Sequence, residues 1–168
     1  MKPTPTSISA DGIPFFEDKK DPTVAGKPVV ERNVTNAIIW NRAKDEILVL
    51  EWPKFDWKTF IIGGIEGEED PVICAQREAA EETGYNDIKF IAEIGKTKTS
   101  FYAAHKGVNR IANATCFLFE LVSDAQQPVD PEETKNHFFK WIPRSEVAAF
   151  INIAPQQYSW EEALPFFK

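Results

Sequence analysis

Between Gly63 and Tyr85 the chain reads GGIEGEEDPVICAQREAAEETGY, and no other stretch limits the possible folds and chemistries so tightly. Asp70 is a capping residue, Pro71 suits a first helical position and Gly84 supplies the residue just past a helix end, so the spacing predicts a helix over 71–83. Val72, Ala75, Ala79 and Thr83 fall on one face of that helix. Glu78, Glu81 and Glu82, at i, i+3 and i+4, fall on another. The helix is two-sided, apolar toward a core and acidic elsewhere.

Carboxylates gathered in this way repel one another by about 0.2–0.5 kcal/mol per pair even when solvated. A solvated acidic face is one reading of them. The other is a site for a hard divalent cation, which takes oxygen ligands and turns the repulsion into binding energy. Arg77 lies next to Glu81 around the helix and reaches back to Glu69, so it can clamp the preceding loop to the helix through charge-assisted hydrogen bonds.

The order of these residues adds a resemblance. Gly63, Glu69 six residues on, Arg77 eight further, then Glu78, Glu81, Glu82 and Gly84, with Ala79 and Tyr85 at the two apolar positions, resembles the Nudix box at every fixed position. The resemblance implies an α/β fold: an α/β/α sandwich with a mixed β-sheet, in which the box forms a loop-helix-loop metal site. It implies hydrolysis of a pyrophosphate bond in a nucleoside diphosphate derivative, with Mg²⁺ or Mn²⁺ as cofactor. By the same resemblance Glu78, Glu81 and Glu82 ligate the metal together with the backbone carbonyl of Ile62, and Glu69 and Arg77 brace the loop. The catalytic set is then Glu78, Glu82, Glu69 and Arg77. Family members often recruit a further acid from outside the box, for which Glu132 and Glu133 are the candidates, with Asp130 behind them. The general base stays open among Glu78, Glu82 and that loop acid.

Composition narrows the setting. With 168 residues, 43% apolar and 27% charged, the chain has ordinary globular make-up and enough length for one core. No apolar run approaches the roughly 20 residues of a spanning helix, and MKPTPTSISADG lacks a signal peptide's apolar block, so a soluble, cytoplasmic protein is expected. The net charge of −7 is almost all local: residues 63–85 hold seven acids and one base, which leaves the remainder close to neutral. With no basic stripe to release counterions, duplex nucleic acid is not an expected partner. A small nucleotide-type substrate is, and a homodimer is the expected oligomer. Cys74 and Cys116 are too few for a disulfide framework and read as buried thiols.

The division expected is a proline-rich arm over 1–32, packed locally by Ile13, Phe15 and Phe16, followed by a single domain over 33–168. VTNAIIW and EILVLEW read as a hairpin of core strands, and Trp57–Ile62 as a short strand leading into Gly63-Gly64. After the helix, 87–101 and 110–122 suit long antiparallel strands joined through AAHKGVN. Residues 123–134 read as a loop, 137–142 as a strand and 144–151 as a helix. Pro155 precedes a last amphipathic segment in which Tyr158, Trp160, Leu164, Phe166 and Phe167 are packing groups. His137 reads as structural.

For substrate contacts the candidates are Trp57, Lys98, Tyr102 and Arg110 with Glu132 and Glu133; Trp52, Phe55 and Phe101 flank the same entrance and either stack on a base or pack the rim. The run DWKTFIIGGIE with the later VNRIANA also resembles Nudix-like modules inserted in some bacterial leucyl-tRNA synthetases. That resemblance implies an alternative, a non-hydrolysing nucleotide- or RNA-binding Nudix module.

Overall fold

The structure, a computed structural model, describes residues 2–168. Strands β1 (Ser7–Ile8) and β2 (Pro14–Glu17) come from the first segment, followed by β3 (Val29–Asn41), β4 (Glu46–Trp52), β5 (Trp57–Thr59) and β6 (Ile61–Gly64). Helix α1 (Pro71–Thr83) follows, then β7 (Ile88–Ala103) and β8 (Val108–Leu121). The remaining elements are α2 (Pro131–Thr134), β9 (Phe138–Pro143), α3 (Val147–Phe150) and α4 (Ala154–Ala163). The strands form one mixed sheet in the order β1-β2-β7-β8-β3-β4-β5, with β6 joined to β3 and β9 to β4.

Period-two alternation sends successive side chains to opposite faces, and the sheet therefore supports two cores. Ile38, Val49, Phe60 and Leu118 meet Val147, Ile151 and Trp160 on the side of α3 and α4. Ile39, Leu48, Leu50 and Phe119 meet Ala75 and Ala79 of α1 on the other side. Each fully buried Ile or Leu contributes roughly 1.5–3 kcal/mol. This is the α/β/α sandwich with a mixed sheet that the box resemblance implied.

The expected hairpin of β3 and β4 forms, antiparallel across the turn, but it is short and the rest of the pairing was not foreseen. β3 and β4 share only the registers Trp40↔Ile47 and Asn41↔Glu46. β3 also runs parallel to β8 from Val29↔Asn109 to Trp40↔Glu120, and its middle, Val34–Ala37, takes β6 as its other neighbour. Alternation reveals a strand but not its partner, and a parallel partner lies a long crossover away.

The prolines of the first segment also do not keep it out of the sheet. Phe15–Glu17 pair in parallel with Lys98–Ser100, and Pro14 stands at the first position of β2, where a missing N–H costs little. Phe16 is buried against Tyr158 of α4, with ring centroids 5.7 Å apart. Further on, buried Asn109 donates to the Val24 carbonyl and accepts from the Val24 N–H, both at 2.8 Å. Val29–Arg32 already belong to β3.

The C-terminal readings shift as well. Residues 144–151 divide into a 3₁₀ turn, Arg144–Glu146, and the single turn of α3. Helix α4 opens at Ala154 with Pro155 inside its first turn, so the proline begins the helix rather than preceding it. Trp160 and Ala163 are buried while Leu164 and Phe166 are exposed, because the helix gives way to a 3₁₀ turn at Leu164 and the face rotates. Phe167 returns to pack on Trp40 and Trp160. Cys74 and Cys116 are free, buried thiols.

Candidate active site

The site begins at the entry to α1. Asp70 has extended backbone angles and its carboxylate accepts from the N–H groups of Val72 (2.9 Å) and Ile73 (3.2 Å). That satisfies two of the donors a helix start leaves over. At the other end Gly84 is left-handed, φ 82°, and a Cβ there would stand 2.6 Å from the Gln127 carbonyl oxygen, so both conformation and space demand glycine.

Arg77 ties loop and helix together. It donates from Nε and Nη2 to the two oxygens of Glu69 at 2.8 and 2.9 Å, a bidentate fork, and from Nη1 to Glu78 and Glu81, both at 3.1 Å. Nη2 also reaches the Gly64 carbonyl at 3.4 Å. The fork holds the Glu69 carboxyl down at about 2, and Glu69 in turn raises Arg77. Charges in this half of the helix are all answered.

The second half differs. The Glu78 side chain is 15% exposed and lies against Gly63: a Cβ on that glycine would stand 2.1 Å from the Glu78 Cγ. Glu82 is 6% exposed, and its Oε2 has no hydrogen-bond partner among the described residues. Burial, then the charges of Glu78, Glu133 and Glu81, pushes the Glu82 carboxyl up to about 9. Burial pushes Glu78 up to about 6 against the pull of Arg77. An anion in such a place is costly unless a cation answers it. Glu81 is more open, 39% exposed, and is held by Arg77. Among the described residues no group of three or more His, Cys, Asp or Glu is already drawn together as a metal site.

The remaining candidates separate by position. Ile62 lies in β6 opposite Asn36, one residue before the glycine that receives Glu78. Glu133, in α2, acts by its charge on both Glu78 and Glu82, whereas Glu132 is exposed and turned to Lys135 at 3.1 Å. Trp57 pairs across strands with Trp52, whose indole N–H donates to Thr59 at 3.0 Å. Phe55 stacks on Trp57 at 4.8 Å, and Trp52 in turn meets the ring of His137 at 4.4 Å. His137 is buried and held below its ordinary pKa by burial, with contact to the Glu82 backbone opposing, and its Nε2 is unpartnered among the described residues. Lys98 pairs with Asp11 at 3.2 Å.

By strand alternation Lys98 and Tyr102, in register with Asn113 and Asn109, share the α1 face with Phe117. Arg110, opposite Phe101, shares the α4 face with Cys116. Lys98 and Arg110 therefore do not converge on one phosphate.

Comparison with known proteins bears on the family and the fold. A family model described as the NUDIX domain matches residues 31–164. The chain belongs to the NUDIX family. Its fold is also that of solved Nudix structures, at low sequence identity. An Ap4A hydrolase from C. elegans aligns with TM-score 0.58 at 17% identity, covering 83% of this chain and 100% of that one. A dihydroneopterin triphosphate pyrophosphohydrolase from E. coli aligns with TM-score 0.58 at 15% identity, over 79% of this chain and 96% of the other. The mutator MutT protein from Bacillus halodurans gives 0.54 at 20% identity, over 77% and 80%. No curated protein matches the sequence. The NUDIX match begins at residue 31, so β1 and β2 lie outside it although they are hydrogen-bonded into the same sheet.

Proposed function

We propose that this Nudix domain hydrolyses a pyrophosphate bond in a nucleoside diphosphate derivative, using Mg²⁺ or Mn²⁺. The observation that carries the reading is the inward-turned pair Glu78 and Glu82, with an unpartnered carboxylate oxygen on Glu82 and Glu133 within range of both. The donors are all hard oxygens, the set that suits these ions. Glu78 and Glu82 hold the ion, with Glu81, Glu133 and the Ile62 carbonyl as the further oxygens at hand. When bound, the ion neutralises phosphate oxygens and lowers the pKa of an attacking water.

The chain's own residues supply the rest. Glu69 and Arg77 fix the loop, so that Gly63 keeps its place beneath Glu78. One of Glu78, Glu82 and Glu133 accepts the proton from the water. The rings of Trp57, Trp52 and Phe55 form a row beside His137, and a nucleobase stacked on one of them gains roughly 1–3 kcal/mol. Tyr102 and Lys98 lie farther along the sheet on the α1 face, and Glu132 at its rim. Among the described residues no helix is long and apolar enough to cross a membrane, in keeping with a cytoplasmic enzyme acting on a small-molecule nucleotide.

The test is a panel of ADP-ribose, dinucleoside polyphosphates, NADH, nucleotide sugars and oxidised nucleoside triphosphates, assayed for product with and without Mn²⁺. Metal-dependent release of a nucleoside monophosphate or of phosphate from at least one compound is expected. A flat panel at high enzyme concentration, with nucleotide bound but unchanged, would instead establish the non-hydrolysing module.

A further inference from the structure

Among the described residues of this acidic chain, two guanidinium groups have no counter-charge. Arg42 is engaged by Glu120, Arg77 by Glu69 and Arg144 by Asp45. Among the described residues, Arg32 and Arg110 make neither an ion pair nor a hydrogen bond. The Nε of Arg110 is moreover buried with no partner. Leaving that one buried nitrogen without an acceptor costs free energy, which an acceptor arriving from outside recovers, while the exposed Arg32 is free to turn to the same acceptor.

Their placement brings them together beside the box. Arg32 is in register with Ala112, and Arg110 with Val30, on the parallel strands β3 and β8. Both therefore stand on the sheet face opposite α1, two residues apart along neighbouring strands, with Cα atoms roughly 8 Å apart. Glu31 and Asn33, the chain neighbours of Arg32, alternate to the other face. Arg32 lies over Gly64: a Cβ on that glycine would stand 2.6 Å from its Nη2 and 3.7 Å from its Cζ. The glycine pair is thus used on both sides, Gly63 admitting Glu78 from α1 and Gly64 admitting Arg32 from the opposite face. Phe101 stands across from Arg110 and gives the patch an apolar wall.

We propose that Arg32 and Arg110 form an anion subsite that takes a phosphate group of the substrate beyond the bond that is broken. The planar guanidinium fork matches phosphate oxygens bidentately, and two forks spanning adjacent strands suit a polyphosphate chain or a phosphorylated nucleoside better than the uncharged sugar of a nucleotide sugar. The preferred substrate class is therefore a nucleotide with an additional phosphate. The word substrate rests on the hydrolase reading above; the anion site itself does not.

The test separates the two. The metal-free protein is titrated with inorganic tripolyphosphate by calorimetry at low and high salt, alongside Arg32→Gln, Arg110→Gln and the charge-keeping Arg32→Lys and Arg110→Lys. Wild type is expected to bind, more weakly as salt rises. Each Gln variant should lose roughly tenfold to a hundredfold in affinity and each Lys variant less. In turnover, the Gln variants should lose more in kcat/KM for a dinucleoside tetraphosphate than for a nucleotide sugar. Absence of tripolyphosphate binding by wild type, or undiminished binding by Gln variants with wild-type melting curves, overturns the subsite. Should one Gln variant fail to fold, the other and the two Lys variants decide the matter. Arginine-dependent binding with no turnover of any compound would uphold the subsite and refute the hydrolase.

Discussion

The two halves of helix α1 hold the same residue types in opposite circumstances. At its entry, Asp70 caps the first turn and Glu69 sits in the fork of Arg77, so each carboxylate is answered by donors and the Glu69 carboxyl is held down at about 2. One turn beyond Arg77, Glu82 is buried with an unpartnered oxygen among three other acids and is pushed up to about 9. The difference is the ground on which we propose where function sits. The satisfied half contributes stability, and the frustrated half keeps a buried carboxyl whose ionised form nothing in the fold answers.

The contrast breaks most sharply at Glu82. Glu82→Gln removes the buried ionisable carboxyl while keeping the shape. Turnover should fall by at least about 100-fold, since even outer-shell partners of a metal cost 10–100-fold. The metal-free melting temperature should hold or rise, as a scanning calorimeter will show. A variant that keeps its activity, or that unfolds, would place Glu82 with the structural half.

Gly63→Ala tests whether the frustrated half depends on its glycine. The new Cβ meets Glu78 Cγ at 2.1 Å, so the glutamate must leave its place. Overpacking of this kind costs about 1–3 kcal/mol in urea unfolding, and manganese affinity by calorimetry should fall with it.

The two halves should also titrate in opposite senses. Glu82 and Glu78 have folded-state values raised above the ordinary 4.5, so the folded chain holds their protons longer than the unfolded one. Metal-free stability therefore declines as pH rises from about 4.5, through about 6 for Glu78 and on to about 9 for Glu82. Glu69 does the reverse: its contribution is present above 4.5 and is lost as pH falls toward about 2. Thermal melts in EDTA between pH 5 and 8 should slope downward with pH, and saturating Mn²⁺ should flatten the slope. A slope that Mn²⁺ leaves untouched would dissociate the raised carboxyls from the cation.

The smallest effect belongs to the satisfied half. Asp70→Ala loses a cap and about 1 kcal/mol. For a chain of this size that is roughly 2–4 °C in melting temperature, with turnover per folded molecule unchanged.

Much of this helix was legible beforehand because its signals are local. A cap, a proline, a terminal glycine and acids at i, i+3 and i+4 act over a single helical turn, and the helix stands over Pro71–Thr83 as the spacing predicts. The strands were legible as strands for the same reason. Their partners were not, since nothing within VTNAIIW says that β3 lies parallel to β8, or that a proline-rich start adds β2 to the edge of β7. Nor does sequence spacing distinguish Glu132 from Glu133, which diverge because one turn of α2 sends the first toward Lys135 and brings the second within range of Glu78 and Glu82. Arg32 gave no signal in the sequence at all; its meaning comes from Gly64 on a neighbouring strand.

The order of residues by itself determined the box helix, the family it resembles and which carboxylates share one side of the helix, because helix geometry and capping chemistry are fixed by neighbours a few positions apart. Only the tertiary structure decided which of those carboxylates are desolvated, which loop acid reaches them and which arginines are left without a partner. Burial and counter-charge are properties of space, set by chain segments far apart in sequence.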